Sequence, residues 1–244
     1  MTRLVGRSRS WIPRRPVRLD PERSALARRN LRTIQTGTLG YHYNNVPCLK
    51  NPFDLALYTM LLGQLRPTTI VEIGSAAGGS ALWFAAQARA LHLECAVLSV
   101  DINKVTTVSD PDVTFLGGDI HHLDTSALPA MLGSRTGPLL VIEDGPHTFG
   151  GSLAALRFFD DYLQPGDYIV IEDGIAKDLG YRHLRNGPNR AVRQFLSDHG
   201  DRYTVDRSYC DFFGRNITWN PNGYLRRITP DVTAPGRTIA DGAP

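Results

Sequence analysis

The sequence predicts an α/β protein in which helices cover both faces of a mostly parallel sheet. Strand-like and helical segments alternate from residue 69 to residue 199, the order expected of parallel strands joined by helical crossovers. The strand-like segments are short unbroken apolar runs, which suits strands buried on both faces. A hairpin-like pair of segments near the end of the chain adds one antiparallel C-terminal strand.

The elements follow in order. Residues 1–20 are rich in Arg, Ser and Pro and read as irregular. Pro21–Arg32 reads as a short helix. Asn51 can cap a helix and Pro52 suits its first turn. Leu55, Tyr58, Leu61, Leu62 and Leu65 then recur at helical spacing until Pro67 ends the pattern. Thr69–Ile73 is a strand and Gly79–Leu91 a helix. Ala96–Val100 and Val113–Leu116 are strands, Ser126–Leu132 a helix, and Leu139–Ile142 a strand. Leu153–Leu163 is an amphipathic helix, Tyr168–Ile171 a strand and Pro188–His199 a helix. Tyr203–Asp206 and Ile217–Ile228 close the sheet, with Asn220-Pro221-Asn222-Gly223 supplying turn residues. The domain division is a basic extension over 1–40, one α/β domain over 41–229 and a tail over 230–244.

Composition narrows the function classes. The 244 residues suit one domain with a full core. No apolar run is long enough to cross a membrane and none has the form of a secretory leader, so no membrane role is expected. Cys48, Cys95 and Cys210 have no metal-ligand spacing, and a reducing cytoplasm is the expected setting. The net charge of +3 divides unevenly: residues 1–33 carry about +8 and the remainder about −5. A basic arm on an acidic body is one way to hold nucleic acid. No basic, aromatic-interleaved stripe continues into the body, so a solvated arm or a subunit contact is the expected use.

In open α/β sheets, ligands bind beyond the carboxyl ends of the strands. After the first long strand comes Glu72-Ile73-Gly74-Ser75-Ala76-Ala77-Gly78-Gly79-Ser80. Small residues there let the backbone approach a ligand closely. Ala76 stands where a dinucleotide fingerprint needs glycine, which argues against an NAD enzyme. Asp101 ends the next strand and can accept hydrogen bonds from both hydroxyls of a ribose. Asp119 after the third is placed either to meet an adenine amino group or to cap a helix.

Two later strands end alike, in Ile142-Glu143-Asp144-Gly145-Pro146-His147 and Ile171-Glu172-Asp173-Gly174. Carboxylates at the tips of apolar strands are costly without a cation. If the strands are neighbours, Asp144, Glu172 and Asp173 converge. An all-oxygen set suits Mg²⁺, Mn²⁺ or Ca²⁺ better than Zn²⁺. The other reading is that these acids cap helices or pair with arginines. His147, three residues past Asp144, is placed to act as a general base at the same crevice.

These stretches, together with Asn51-Pro52-Phe53-Asp54-Leu55, Pro165-Gly166-Asp167-Tyr168 and Thr218-Trp219-Asn220-Pro221-Asn222-Gly223, resemble the cephalosporin hydroxylase / rhamnosyl O-methyltransferase family over about residues 43–229. The resemblance implies a Rossmann-like class I methyltransferase fold with a seven-stranded sheet, using S-adenosylmethionine (SAM) and Mg²⁺. It implies metal ligands Asp144, Glu172 and Asp173, catalytic residues His147 and Asp144, and a donor pocket of Glu72, Gly74, Ser75, Ser80, Asp101, Ile102 and Asp119. The expected acceptor is a hydroxyl of a glycosylated natural product, of the deoxysugar (rhamnose) type found in antibiotics; a β-lactam or other non-sugar hydroxyl is the alternative. A homo-oligomer is expected, and nucleic acid is not an expected partner. Two other classes stand as rivals: a non-catalytic nucleotide- or nucleic-acid-binding protein on the same fold, and an iron oxygenase using His122-Leu123-Asp124. The second lacks a neighbouring second His and the scaffold such triads use.

Overall fold

The computed structural model describes residues 22–229. The irregular start and the loose tail expected at the two ends fall outside these residues.

Helix α1 spans Arg28–Gly40 and is followed by a two-stranded ribbon, β1 (His42–Tyr43) and β2 (Val46–Pro47). Helix α2 covers Pro52–Leu65, β3 Thr69–Ile73, α3 Gly79–Ala90, β4 Ala96–Asp101 and β5 Val113–Gly117. The chain continues through α4 (Leu128–Gly133), β6 (Leu139–Glu143), α5 (Phe149–Asp160) and β7 (Tyr168–Ile171). It ends with α6 (Ala176–Leu179), α7 (Gly187–His199), β8 (Tyr203–Val205), α8 (Arg207–Cys210) and β9 (Tyr224–Arg227).

The large sheet has seven strands in the order β5-β4-β3-β6-β7-β9-β8. Strands β5 through β7 pair in parallel, and β9 lies antiparallel to both β7 and β8. The expected mostly parallel, seven-stranded sheet with an antiparallel C-terminal strand is therefore the one observed.

Side chains alternate across its central strands. Ile70, Leu140, Ile142 and Val170 pack with Leu57, Tyr58 and Phe84 of α2 and α3. Val71, Ile73, Val141, Ile169 and Ile171 pack with Leu156, Phe159 and Phe195 of α5 and α7. Both faces are closed to water, which is why these strands read as unbroken apolar runs. Among the described residues no helix is long and apolar enough to cross a membrane.

Three expected elements differ by more than two residues at an end, and the β1–β2 ribbon, α6 and α8 are additional to those expected. The first helix is Arg28–Gly40, not Pro21–Arg32. The polar stretch after Arg32 has modest helix propensity, but Leu31 is buried against Ile175, Leu179 and Trp219, and this packing sets the helix. Helix α5 starts at Phe149 rather than Leu153, because Thr148 caps it by accepting from Gly151 N–H. The strand expected over Ile217–Ile228 is confined to Tyr224–Arg227. Asn216 and Asn222 adopt left-handed backbone, φ 51° and 58°, and break any extension between them.

The segment 216–223 is instead tied to α2 by one carboxylate. Asp54, 2% exposed, accepts from Asn51 Nδ2, Thr218 Oγ1, Trp219 N–H (3.0 Å) and Tyr224 OH (3.3 Å). Asp54→Ala is expected to lower stability by about 3 kcal/mol or more, because buried donors lose their acceptor together. Urea unfolding reads this out; a loss under 1 kcal/mol would contradict it.

Candidate active site

The strand order reverses between β3 and β6: β4 and β5 lie on one side of β3, and β6 on the other. A crevice opens at such a switch point beyond the carboxyl ends. The hydrogen-bond ladder runs one residue past the strand tips. Asp144 N–H donates to Ile73 O at 2.8 Å and Glu172 N–H to Glu143 O at 2.9 Å. The loops after β3, β6 and β7 are thereby held side by side. Gly74 (φ +102°) permits this approach, since a Cβ there would stand 2.1 Å from the Asp144 carbonyl oxygen. A cavity of about 840 Å³ lies over the crevice.

One end of the cavity is walled by Gly74, Ser75, Ala76, Ser80, Asp101, Ile102, Gly118 and Asp119. Backbone N–H groups of Ala76 (3.1 Å) and Asn103 (2.9 Å) donate to the Asp101 carboxylate and fix its orientation. Asp119 accepts from His121 N–H at 2.9 Å, so it stabilises its own turn while facing the cavity. Glu72 is placed differently from the other expected donor-pocket residues. It is fully buried and does not line the cavity; Ser99 Oγ donates to it at 2.8 Å, and Ser99 in turn bonds Ser75 Oγ at 2.7 Å. Burial pushes its carboxyl above the usual range, although Lys50 and the Ser80 and Ser99 hydroxyls oppose the shift. In this position Glu72 supports the loop from beneath.

Three groups from the β6 and β7 ends meet on the cavity wall. Asp144, His147 and Asp173 each present an atom within 4.8 Å of the other two. His147 Nε2 lies 3.2 Å from Asp173 Oδ2. Its Nδ1 is buried without a hydrogen-bond partner among the described residues. Both His147 (φ 53°) and Asp173 (φ 58°) hold left-handed backbone, a strained conformation kept where surrounding structure enforces it. Asn220 Oδ1 accepts from Asp173 N–H at 3.2 Å. Gly187 at the start of α7 packs so tightly on the His147 loop that a Cβ would meet the His147 carbonyl oxygen at 2.5 Å.

Glu172, the remaining expected ligand, lies one step deeper and does not line the cavity. Its Oε1 accepts from Tyr58 OH and from Lys50 Nζ at 2.8 Å. Lys50 Nζ also contacts Asp144 Oδ2 at 2.5 Å. Thus Asp144 and Asp173 converge with His147, while Glu172 is joined to Asp144 through a buried ammonium.

Burial alone would lower the Lys50 pKa, but Asp144, Glu172 and Glu72 hold it well above its ordinary value, so it stays charged. Burial pushes Glu172 up to about 7, with Asp144 adding to the shift and Lys50 opposing it. Burial raises Asp144 and Asp173 as well, against the attraction of Lys50 and His147. Burial pulls the His147 imidazole down, yet Asp173, Asp144, Glu143 and Glu172 outweigh it and its pKa is raised.

These residues fit a hard divalent cation. Three carboxylates less one ammonium leave a formal charge of −2 beside a cavity, and two of the carboxylates with the orphaned imidazole face one point. The expected alternative, helix caps or arginine pairs, does not describe these three acids: the cation found among them is Lys50.

The other end of the cavity is mostly apolar, walled by Leu39, Leu49, Leu179, Leu184 and Trp219. Gln35 and Thr38 of α1 also line it, and Trp219 Nε1 donates to Gln35 Oε1 at 2.5 Å. Tyr41 and Tyr43 pack against the core that includes α2 and α3. Lys50 and Gln35 escape the sequence reading, in which Tyr58 counts only as an apolar position of its helix. Lys50 stands directly before the Asn51-Pro52 helix start, the one signal that marked its neighbourhood.

Comparison with known proteins adds the following. The profile of the family described as Rhamnosyl O-methyltransferase/CmcI matches residues 37–228. The Rhamnosyl O-methyltransferase of Mycobacterium leprae is 29% identical over 195 residues, covering 75% of this chain and 81% of the relative. That of Mycobacterium tuberculosis is 28% identical over 193 residues, covering 76% and 77%. The solved structure of CmcI with Mg and SAM is 28% identical with a TM-score of 0.62, covering 78% of each chain.

Proposed function

The chain belongs to the Rhamnosyl O-methyltransferase/CmcI family, and from that premise we propose that it moves the methyl group of SAM to a hydroxyl of a rhamnose-type deoxysugar on a natural product, with Mg²⁺ as the metal that Asp144 and Asp173 would hold. The observation that carries this is the meeting of Asp144, Asp173 and His147 on the wall of one cavity that Asp101, Asp119 and a group of apolar side chains also line.

Asp101 would hold the ribose hydroxyls of the donor, and Asp119 its adenine amino group. The loop from Gly74 to Ser80 would let the donor lie against the backbone. Methyl transfer is an in-line displacement, so the acceptor oxygen must sit about 3 Å from the methyl carbon, opposite sulfur.

Proton removal is the difficult part. An alkyl hydroxyl has a pKa near that of water, ~15.7, and an ordinary His one near ~6.5; the gap of about nine units is roughly 12 kcal/mol. Asp144 and Asp173, with Glu172 supporting them from behind, would hold a divalent cation, which would supply Lewis-acid polarisation to narrow this gap. His147, oriented through Nε2 by Asp173, would take the proton as the C–O bond forms. The apolar end suits the body of the molecule that carries the sugar.

The test is methyl transfer from radiolabelled SAM to a panel of rhamnosides, phenols and β-lactam alcohols, with Mg²⁺ or with EDTA. Mg²⁺-dependent labelling of the sugar is expected. Labelling of a non-sugar hydroxyl alone, or labelling indifferent to EDTA, would overturn the reading.

A further inference from the structure

Lys50 is 2% exposed, yet it lies among carboxylates rather than in the apolar core. It is absent from the cavity wall that Asp144 and Asp173 share. The ammonium thus meets the acids from behind the cavity wall. It contacts Asp144 Oδ2 and Glu172 Oε1, so one charge ties the tip of β6 to the tip of β7. Tyr58 OH donates to the same Glu172 oxygen from α2.

The position of Lys50 is itself built. Asn51 caps α2 by accepting from Phe53 N–H (3.0 Å) and Asp54 N–H (3.1 Å). Lys50 N–H donates to Cys48 O at 2.8 Å, and Cys48 N–H to Tyr41 O at 3.0 Å. The backbone on both sides of the lysine is therefore fixed, and its side chain is aimed inward at a single point.

We propose that Lys50 is a permanent internal cation that holds the metal-binding carboxylates in place before a metal arrives, and whose charge a divalent ion can partly replace. This rests on the reading of Asp144 and Asp173 as metal ligands. Without a positive charge, Asp144, Glu172 and Asp173 repel one another in a buried setting. With Lys50 present, the cluster keeps a formal −2, which one dication neutralises. Lys50 is a positioning residue: it acts through the carboxylates and touches no substrate.

A structural lysine and a positioning lysine behave differently when metal is added. If Lys50 only fills space, Lys50→Met lowers the melting temperature equally in EDTA and in excess Mg²⁺. If it neutralises the cluster, the deficit is large in EDTA and shrinks in Mg²⁺. The expected deficit in EDTA is roughly 10 °C, the scale for breaking a buried ion pair in a domain of this size. Mg²⁺ is expected to restore at least about half of it, and Lys50→Arg, which keeps the charge, to show a smaller deficit in EDTA.

The experiment is thermal unfolding of the full chain, wild type and both variants, in EDTA and in saturating MgCl₂. An equal deficit in the two conditions overturns the proposal, as does a Lys50→Met protein that folds in neither. A wild-type protein whose melting temperature ignores Mg²⁺ overturns the metal reading itself, and the two failures are thereby told apart.

Discussion

Asp144→Asn is expected to reduce methyl transfer by roughly 1,000-fold, the scale of several kcal/mol of lost charge stabilisation in the transition state. Asp144 is the residue on which the site's two halves depend. Its side chain faces the cavity with Asp173 and His147, and its Oδ2 contacts Lys50 at 2.5 Å. The amide keeps the shape and an oxygen that can still accept from Lys50, but it removes a full negative charge. Metal affinity is therefore expected to fall with turnover, while SAM binding, proposed for the Gly74 and Asp101 end, is expected to persist. Calorimetric titration with SAM and with Mg²⁺, beside initial rates, separates these effects. A rate within threefold of wild type would remove Asp144 from the mechanism.

His147→Ala is expected to lower the rate by about 10²- to 10⁴-fold, the usual worth of a positioned base, with SAM affinity unchanged. Its pH profile distinguishes a base from a merely structural histidine. Burial favours the neutral ring, but the four surrounding carboxylates prevail and raise its pKa. A base acts in its neutral form, so wild-type activity should rise with pH as His147 loses its proton. That acid limb should vanish in the alanine variant. A variant that is slower but keeps the same limb would mean that another group titrates there. Because His147 also lies within ligand reach of Asp144 and Asp173, Mg²⁺ titration of the variant is the companion measurement. A base role leaves the affinity near wild type, whereas a ligand role lowers it at least tenfold.

Much of this protein is legible from residue order alone. Runs such as Ile70-Val71-Glu72-Ile73 and Leu140-Val141-Ile142 can be buried on both faces in one way, as inner parallel strands, and the observed register pairs them directly. Asp101, Asp144 and Asp173 could be singled out because a carboxylate at the end of an apolar strand stands at the ligand edge of such a sheet. These are local signals, set by periodicity and by one residue's position relative to a strand end.

What remained hidden depends on which distant segments touch. Helix α1 is polar overall with one narrow apolar stripe of Leu31 and Ile34, and it exists where it does because that stripe finds Ile175, Leu179 and Trp219. Trp219 reads as part of a strand, but the left-handed Asn216 and Asn222 and the Asp54 carboxylate fold it, with Asn220, toward the site. Glu72 stands in a ligand-facing motif, yet the pleat turns its side chain beneath the loop to Ser99. Glu172 and Asp173 are adjacent in sequence, but one turns back to Lys50 and Tyr58 while the other faces the cavity with His147. The sequence by itself determined where carboxylates would collect, since strand ends fix that through backbone geometry. Only the tertiary structure decided which of them face the cavity and which cation stands behind them, because burial and charge pairing are settled between residues about a hundred positions apart.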